Sequence, residues 1–488
     1  MLLLVTHTAA ALSVRPRVVV PTMMFGAFKS KAAVTLPDGN APTWEALRAK
    51  VDATPTGTKL AEEAALRAKG IGPAHTDAKL RLFDAASEDD VRVTLYRDDA
   101  AWCPYCQKVW LLLEEKRIPF KVSKINMRSY GEKPNWYTSM VPGGLLPVIE
   151  LDGKVVTESL VIMQLLDATF PDGPPMVPEG GEERKAANAL LNLERQLFSA
   201  WCRLTFSPGK GLFDAHERGF LETLREVDDA LLATDGPWFL GGESPSLVDL
   251  QYISHVERMI ASVLYWKGLK LRGTGGYPGL DAWLDAFEQR PAYLATKSDY
   301  YTHCKDIPPQ YGDGYGVDEA KEYAAAIGGE GGSWQLPATL DGDAATAIEP
   351  IAALHLAGGE EAARHEAAYK LIHNAKNVAR FAARGASPPG GWMGPGKAEL
   401  ADPYAKPNDD FVAPVDVCLR HTAAALLDGT DAVAAAAKAD LGEANGDPDS
   451  ALTDCLAYLR DRVGVPRDMS QGAAVMLRSH LNWAISQL

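Results

Sequence analysis

Apolar and polar positions change period along this chain, and the changes divide it. Val91, Val93 and Leu95 alternate with other residues in VRVTLYRD (91–98), the period of two expected of a strand. Immediately afterwards Cys106, Val109, Trp110 and Leu113 recur at helical spacing in PYCQKVWLLLEEK, with Glu114, Glu115 and Lys116 closing the run. IPFKVSKINM predicts a second strand, and LLPVIELDGKVVTES predicts two more, joined through Asp152-Gly153, a two-residue hairpin signal. SLVIMQLLDATF predicts another helix, so the order is β-α-β followed by β-β-α. From Glu182 to Tyr300 the period is helical throughout. Ser246 and Asp249 in SPSLVDL have capping-box spacing there, with Asp in place of the usual Glu. IPPQYGDGYG and IGGEGGSWQLP punctuate the chain between Asp306 and Pro337. A third, Ala-rich helical region follows, interrupted by ASPPGGWMGPG. The expected organisation is a partly helical lead-in (38–90), a mixed unit (91–175), an all-helical unit (182–305), a linker (306–343) and a helical extension domain (344–488).

Composition narrows the function classes. A chain of 488 residues is too long for a single core. A formal net charge of −15 argues against nucleic acid or an anionic membrane as the main partner. No apolar run beyond the N-terminus is long enough to span a bilayer, so no membrane span is expected in the mature chain. Residues 1–37 carry Arg15, Arg17, Lys29 and Lys31 with no acid, after an apolar stretch from Leu2 to Leu12 too short for an anchor. That pattern is expected of a targeting presequence, with a plastid (chloroplast stroma) address and mitochondrial or cytoplasmic alternatives.

The candidate chemistry lies in DDAAWCPYCQKVW, at the junction of the first strand and first helix. Six cysteines are too few for a disulfide scaffold, and only Cys103 and Cys106 are closely paired; Cys202, Cys304, Cys418 and Cys455 read as small buried hydrophobes. A zinc site needs two more ligands, and the chain has no second C-x-x-C or paired histidines at finger spacing, so no metal is expected. A thiol at a helix start meets unpaired N–H groups and the positive end of the helix dipole, which stabilise a thiolate. Pro104 suits the first helical turn because its missing N–H is not needed there. Cys103 is therefore the candidate nucleophile. Cys106, one turn deeper, is the candidate resolving thiol, and the element order around the pair is thioredoxin-like.

WCPYCQKVWLLLEEKRIPF, VPGGLLPVIELDGKVVTESLVIMQLL and PWFLGGESPSLVDL together resemble the glutathione transferases of the cysteine, omega or glutaredoxin-like type over Val91 to Tyr300. With VGVPRDMSQGAAVMLRSHLNW near the C-terminus, the chain is most similar to the iota class of algae and cyanobacteria. The resemblance implies an α+β fold: a thioredoxin-like β-α-β-β-β-α domain, an all-α transferase domain and an additional helical domain. It implies glutathione as co-substrate. Tyr105 would lie beside Cys103; Pro147 would be cis, turning Leu146 to pair with the cysteinyl unit; Glu158 and Ser159 would hold the γ-glutamyl end; and Lys133 would approach the glycyl carboxylate. Glu158 and Ser159 read equally well as a helix N-cap, and Lys133 as a solvated lysine. Trp136, Trp201, Phe206, Tyr265 and Trp266 are aromatic candidates for an acceptor site, against the ordinary reading of core residues.

A cysteine where many transferases carry Ser or Tyr favours thiol exchange over conjugation. The expected activity is glutathione-dependent reduction of a small-molecule or protein disulfide, or of dehydroascorbate. Conjugation to electrophiles and a non-enzymatic ligand-binding role are the alternatives. His373, Asn374, Arg420, His421, Arg460, Arg467, Asp468, His480 and Asn482 in the extension read as solvated faces, and Asp468 or Ser470 as a helix cap. Related transferases are often homodimers, though an added domain could block the usual interface.

Overall fold

The computed structural model describes residues 35–127, 129–207, 213–390, 399–442 and 451–488. Residues 1–34 of the expected presequence, and residues 391–398 of the Gly/Pro-rich interruption, lie outside them. Five strands form one sheet in the order β1-β3-β2-β4-β5: β1 (Leu80–Arg81), β2 (Val93–Asp98), β3 (Phe120–Ile125), β4 (Val148–Leu151) and β5 (Lys154–Val156). β2 and β3 are parallel, and the other pairs are antiparallel. Central β2 buries Val93 and Leu95 completely, in keeping with its alternation. The β4–β5 turn places Asp152 at φ 51° and Gly153 at φ 77°, the two left-handed residues of a type I′ hairpin.

Helices α1 (Trp44–Asp52) and α2 (Pro55–Ala68) precede the sheet. Within the thioredoxin-like domain lie α3 (Pro104–Glu115), α4 (Asn135–Met140) and α5 (Ser159–Thr169). The all-helical domain comprises α6 (Gly181–Thr205), α7 (Phe213–Leu232), α8 (Leu247–Lys267), α9 (Pro278–Glu288), α10 (Pro291–Leu294) and α11 (Tyr300–Tyr311). α8 is its buried axis, opened by the expected capping box and closed at Gly268 with φ 69°. Asp249 does more than cap, since its carboxylate also accepts from Phe239 N (3.0 Å) and Trp283 Nε1 (3.0 Å). α11 continues through Pro308 and Pro309, which occupy its last turn.

Further on are α12 (Lys321–Ile327), α13 (Gly359–His373), α14 (Ala375–Ala382), α15 (Val412–Asp428), α16 (Thr430–Leu441), α17 (Ala451–Arg460) and α18 (Gln471–Gln487). α12 packs its Ile327 into the first core, whereas α13 to α18 build a second core around Phe411, Val415, Leu452, Leu456 and Leu477, and that core also takes Leu47 and Val51 from α1. The stretch read as a lead-in is thus folded at both ends, with α1 in the extension's core and β1 on the sheet edge. A two-residue strand carries no periodicity, so the fifth strand corrects the four expected. The solvated reading of the extension's polar residues holds for His373 and Asn374, which are exposed, and is corrected for others. His421 is completely buried against Asp440 (2.9 Å), His480 is buried on the Met476 carbonyl (2.7 Å), and Arg420 pairs with Asp416 (3.1 Å). Small Ala side chains let these helices approach closely enough to enclose polar groups. Ser470 is the N-cap of α18, accepting from Ala473 N, whereas Asp468 accepts from Gly464 N (2.8 Å). No helix among the described residues is long and apolar enough to cross a membrane.

Candidate active site

Three strand ends of the thioredoxin-like domain converge. β2 finishes at Asp98, just before the Cys103 turn. Tyr96 pairs with Val148, so Pro147 lies at the same sheet end. Ile149 pairs with Val156, which brings Glu158, two residues further on, to that end as well. Antiparallel register therefore gathers Cys103, Pro147 and Glu158 although 55 positions separate the first from the last in sequence.

Cys103 is the N-cap of α3 and only half-buried, while Cys106, one turn on, is buried. The turn before it is held by Asp98, whose Oδ2 accepts from Trp102 N (2.6 Å) and Cys103 N (3.1 Å). Ala101 takes φ 55°, a left-handed conformation that a non-glycine residue keeps only where its surroundings enforce it. Those surroundings are Trp102, fully buried, donating from Nε1 to His303 Nδ1 (3.1 Å), and its carbonyl, which accepts from Arg258. Burial, reinforced by the adjacent Cys103 thiol, pushes the Cys106 thiol far above the ordinary range, so it stays protonated until a disulfide forms beside it. Asp98, Cys103 and Cys106 place their ligand atoms within 4.8 Å of one another. Those three donors fall one short of a tetrahedral set, and the carboxylate already serves two amides.

The remaining candidates behave differently from one another. The Leu146–Pro147 bond is cis, with Pro147 buried and Leu146 half-buried. Tyr137 fastens the preceding Leu145 carbonyl (2.6 Å). Glu158 has φ 68°, is exposed, and makes no side-chain cap on α5, which removes the simple N-cap reading of its carboxylate; Ser159 opens the helix, half-buried. Lys133 is not a free surface lysine: its ammonium donates to the Asn126 carbonyl (2.6 Å), and burial lowers its pKa against the pull of Cys106 and Cys103. Tyr105 is 38% exposed and packs edge-to-face on His255 (5.4 Å).

Beyond Tyr105 lies an aromatic wall contributed by the helical domain. Phe198 contacts His255 (4.8 Å) and Tyr311 (6.0 Å), and Phe206 stacks on Tyr311 (6.1 Å, 11°). Phe206 thus belongs to the wall. Trp201 sits behind it in the core, bonded to Ser262 (2.8 Å), and Trp266 is buried. Tyr265 packs on Trp266, and Trp136 is exposed on the other domain beside Tyr96 and Tyr137. Sequence reasoning missed Asp98, Phe198, His255, His303 and Tyr311. Only Asp98 had a local signal, a carboxylate at the end of a buried strand.

Burial and then the nearby Lys108 charge hold the His255 imidazole down at about 4, with Nδ1 on Glu194 (2.8 Å). Lys108 is itself lowered to about 8 by burial, its ammonium on Gln251 (2.6 Å). A half-exposed thiol at a helix start, a buried thiol behind it and an aromatic wall opposite form a site that can exchange disulfides with a small thiol.

Residues 102–169 match the family model "Glutathione S-transferase, N-terminal domain", and residues 210–286 match "Glutathione S-transferase, C-terminal domain". Protein IN2-1 homolog A of Oryza sativa subsp. japonica is 30% identical over 203 residues, 41% of this chain and 78% of that protein. Glutathione S-transferase L3 of Arabidopsis thaliana is 31% identical over 201 residues, covering 40% of this chain and 79% of its own length. Glutathione S-transferase DHAR2 of the same plant is 31% identical over 167 residues, 34% of this chain and 71% of that protein. Among solved structures, glutathione transferase Omega 3C from Trametes versicolor shares 27% identity over 42% of this chain and 84% of its own, with a TM-score of 0.37. With the two family-model matches and relatives 30–31% identical over more than two thirds of their own length, the chain belongs to the glutathione S-transferase family.

Proposed function

We propose that this transferase is a glutathione-dependent thiol transferase of the cysteine type, akin to the iota class. It would remove glutathione from mixed disulfides or reduce dehydroascorbate. The observation that carries the reading is Cys103: a half-exposed thiol at the N-terminus of α3, its amide held by Asp98, where a serine or tyrosine hydroxyl would direct the family toward conjugation.

The Cys103 thiolate attacks the glutathionyl sulfur of a mixed disulfide. The Cys103–glutathione disulfide forms, and the acceptor leaves as a thiolate that takes a proton from water. A second glutathione thiolate then attacks the glutathione sulfur of that intermediate, giving oxidised glutathione and restoring Cys103. Cys106 offers an internal route: on losing its proton it attacks Cys103, frees glutathione and leaves a Cys103–Cys106 disulfide for two further glutathiones to reduce. Burial makes that deprotonation costly, which favours the monothiol route. Glutathione would lie along Leu146 beside Pro147. Glu158 would meet its α-ammonium, Ser159 and the first amides of α5 its γ-glutamyl carboxylate, and Lys133 its glycyl carboxylate. Glutathione S-transferase DHAR3 of Arabidopsis thaliana, 26% identical, carries the description chloroplastic, in keeping with a plastid address.

The test is glutathione-dependent reduction of a glutathionylated model disulfide by the full-length chain, Cys103→Ser and Cys106→Ser. Loss of turnover in Cys103→Ser with most retained in Cys106→Ser is expected. No turnover in the unsubstituted chain would refute the reading.

A further inference from the structure

The extension reaches the surroundings of the active site through Tyr404, which bonds Glu132, and through the segment between its last two helices. Between α17 and α18, residues Val463 to Asp468 lie against the first turn of α11. Val465 N donates to Thr302 Oγ1 (3.2 Å), Ser298 Oγ donates to the Val465 carbonyl, and Tyr301 donates to the Asp461 carbonyl (3.0 Å). One residue further along α11, His303 holds the indole of Trp102 beside Cys103. On the other side Thr76 donates to the Arg467 carbonyl (3.4 Å) and accepts from Arg97 (2.6 Å), which also donates to the Asp98 carbonyl (2.7 Å).

The side chain of Arg467 faces the loop at 129–133, which carries Lys133. Its guanidinium lies 5.8 Å from the centre of the Tyr130 ring. It is oriented by the Asp468 carboxylate (2.9 and 2.7 Å) and the Arg462 carbonyl (2.9 Å). Tyr130 donates to Asp306 of α11 (3.0 Å), and Ser129 accepts from Gln310 (3.1 Å). The loop is closed by Lys133 on the Asn126 carbonyl and by Asn126 on the Glu132 carbonyl (2.8 Å), and the segment before it is tied to the Cys103 turn through Asp99, which accepts from Met127 N (3.2 Å). Burial raises the carboxyls of Asp99 and Asp306, and the positive charge of Arg467 acts in the opposite direction on both.

We infer that Arg467 of the extension is a positioning residue for the glutathione site: it pins the Tyr130 ring and thereby sets residues 129–133, with Lys133, against the Cys103 turn. This rests on the reading that Lys133 and Cys103 meet glutathione. The extension domain is then part of the binding apparatus.

The experiment measures the Kd of reduced glutathione by titration calorimetry on full-length Cys103→Ser protein, with and without Arg467→Met, Arg467→Lys and Tyr130→Leu. Steady-state KM and kcat are measured in the Cys103 background. Arg467→Met should weaken glutathione about tenfold, the loss of one charge-assisted contact, with kcat at saturating glutathione changed by less than about threefold. Arg467→Lys should recover most of the affinity because the cation returns, and Tyr130→Leu should reproduce the loss by removing its partner. If folded Arg467→Met binds glutathione as tightly as its parent, or if it loses thermal stability while Kd and KM hold, the inference is overturned. Should Arg467→Met misfold, an unchanged Kd in Tyr130→Leu overturns it equally. A chain that binds glutathione in an Arg467-dependent way yet reduces no disulfide supports the positioning role while refuting the thiol-transferase reading.

Discussion

Replacing Arg478 with methionine isolates the charge that joins the extension to α11. The guanidinium and the Asp299 carboxylate are 2.7 Å apart with side-chain exposures of 2% and 3%, and Arg478 also donates to the Val463 carbonyl (2.8 Å). Its plane lies 4.6 Å from the Tyr301 ring and 4.8 Å from Trp334. Methionine keeps most of the stem's packing, so the loss is electrostatic. Asp299 would remain as a buried carboxylate that also caps α11 through Thr302 N (2.9 Å). Breaking one partner out of a buried pair costs roughly 3–5 kcal/mol, and about 4 kcal/mol is expected here. For a cooperative unit as long as residues 33–488, that is a fall in Tm of only roughly 4 °C, so urea unfolding followed by circular dichroism is the more sensitive assay. Asp299→Asn keeps an oxygen for the cap while removing the orphaned charge. The double variant should therefore be more stable than the sum of the two singles predicts, by about 2 kcal/mol. In Arg478→Met the deficit should shrink on acidification, because burial without its counter-ion raises the Asp299 carboxyl toward protonation. A loss below about 1 kcal/mol, or strict additivity in the double variant, would show that the pair does not hold the two regions together.

Three further outcomes follow from the geometry. Asp249→Ala strips the acceptor from Ser246 N (2.8 Å), Ser246 Oγ (2.7 Å), Phe239 N and Trp283 Nε1. At roughly 1–3 kcal/mol per stranded buried donor it should yield insoluble or unfolded protein, and a normally folded variant by circular dichroism would contradict that ledger. Glu158→Gly relieves a left-handed residue, worth about 1 kcal/mol, so Tm should hold or rise while the glutathione Kd weakens several-fold; unchanged binding would remove Glu158 from the site. Asp306 and Glu349 should contribute stability that is lost as pH rises from about 4 to 8. Burial raises Asp306 to about 7 and Glu349 to about 8, whereas the unfolded chain releases those protons near pH 4. At these two carboxyls the folded chain keeps protons that the unfolded chain has released, so their contribution to the slope of stability against pH is negative, whereas buried histidines such as His255 and His355, lowered to about 4, contribute a positive slope up to about pH 6.5. Glu349→Gln should flatten the upper part of the negative slope in a pH series of thermal melts, and an unchanged slope would count against the buried carboxyl.

Read in order along the chain, residues within a turn or two of one another decided a good deal. The alternation of Val93 and Leu95, the helical run after Cys103, the Asp152-Gly153 hairpin and the Ser246–Asp249 box all appear where their spacing placed them. Each rests on short-range physics: the two periods of backbone geometry, the left-handed freedom needed by a tight turn, and amides left unpaired at a helix start. The C-x-x-C pair was legible for the same reason. What holds its turn was not, since Trp102 and His303 are 201 positions apart, and Arg478 and Asp299 are 179 apart. Nothing in the local pattern distinguishes Arg467 or His421 from solvated residues on a helical surface. Their partners are chosen only when the extension closes on the rest of the chain, where excluded water makes an unpaired charge or amide too costly to leave. The five-stranded sheet follows the same division. Hydrophobic alternation specified the central strands, whereas two-residue β1 exists only because the folded chain carries Leu80 and Arg81 alongside Lys121 and Phe120.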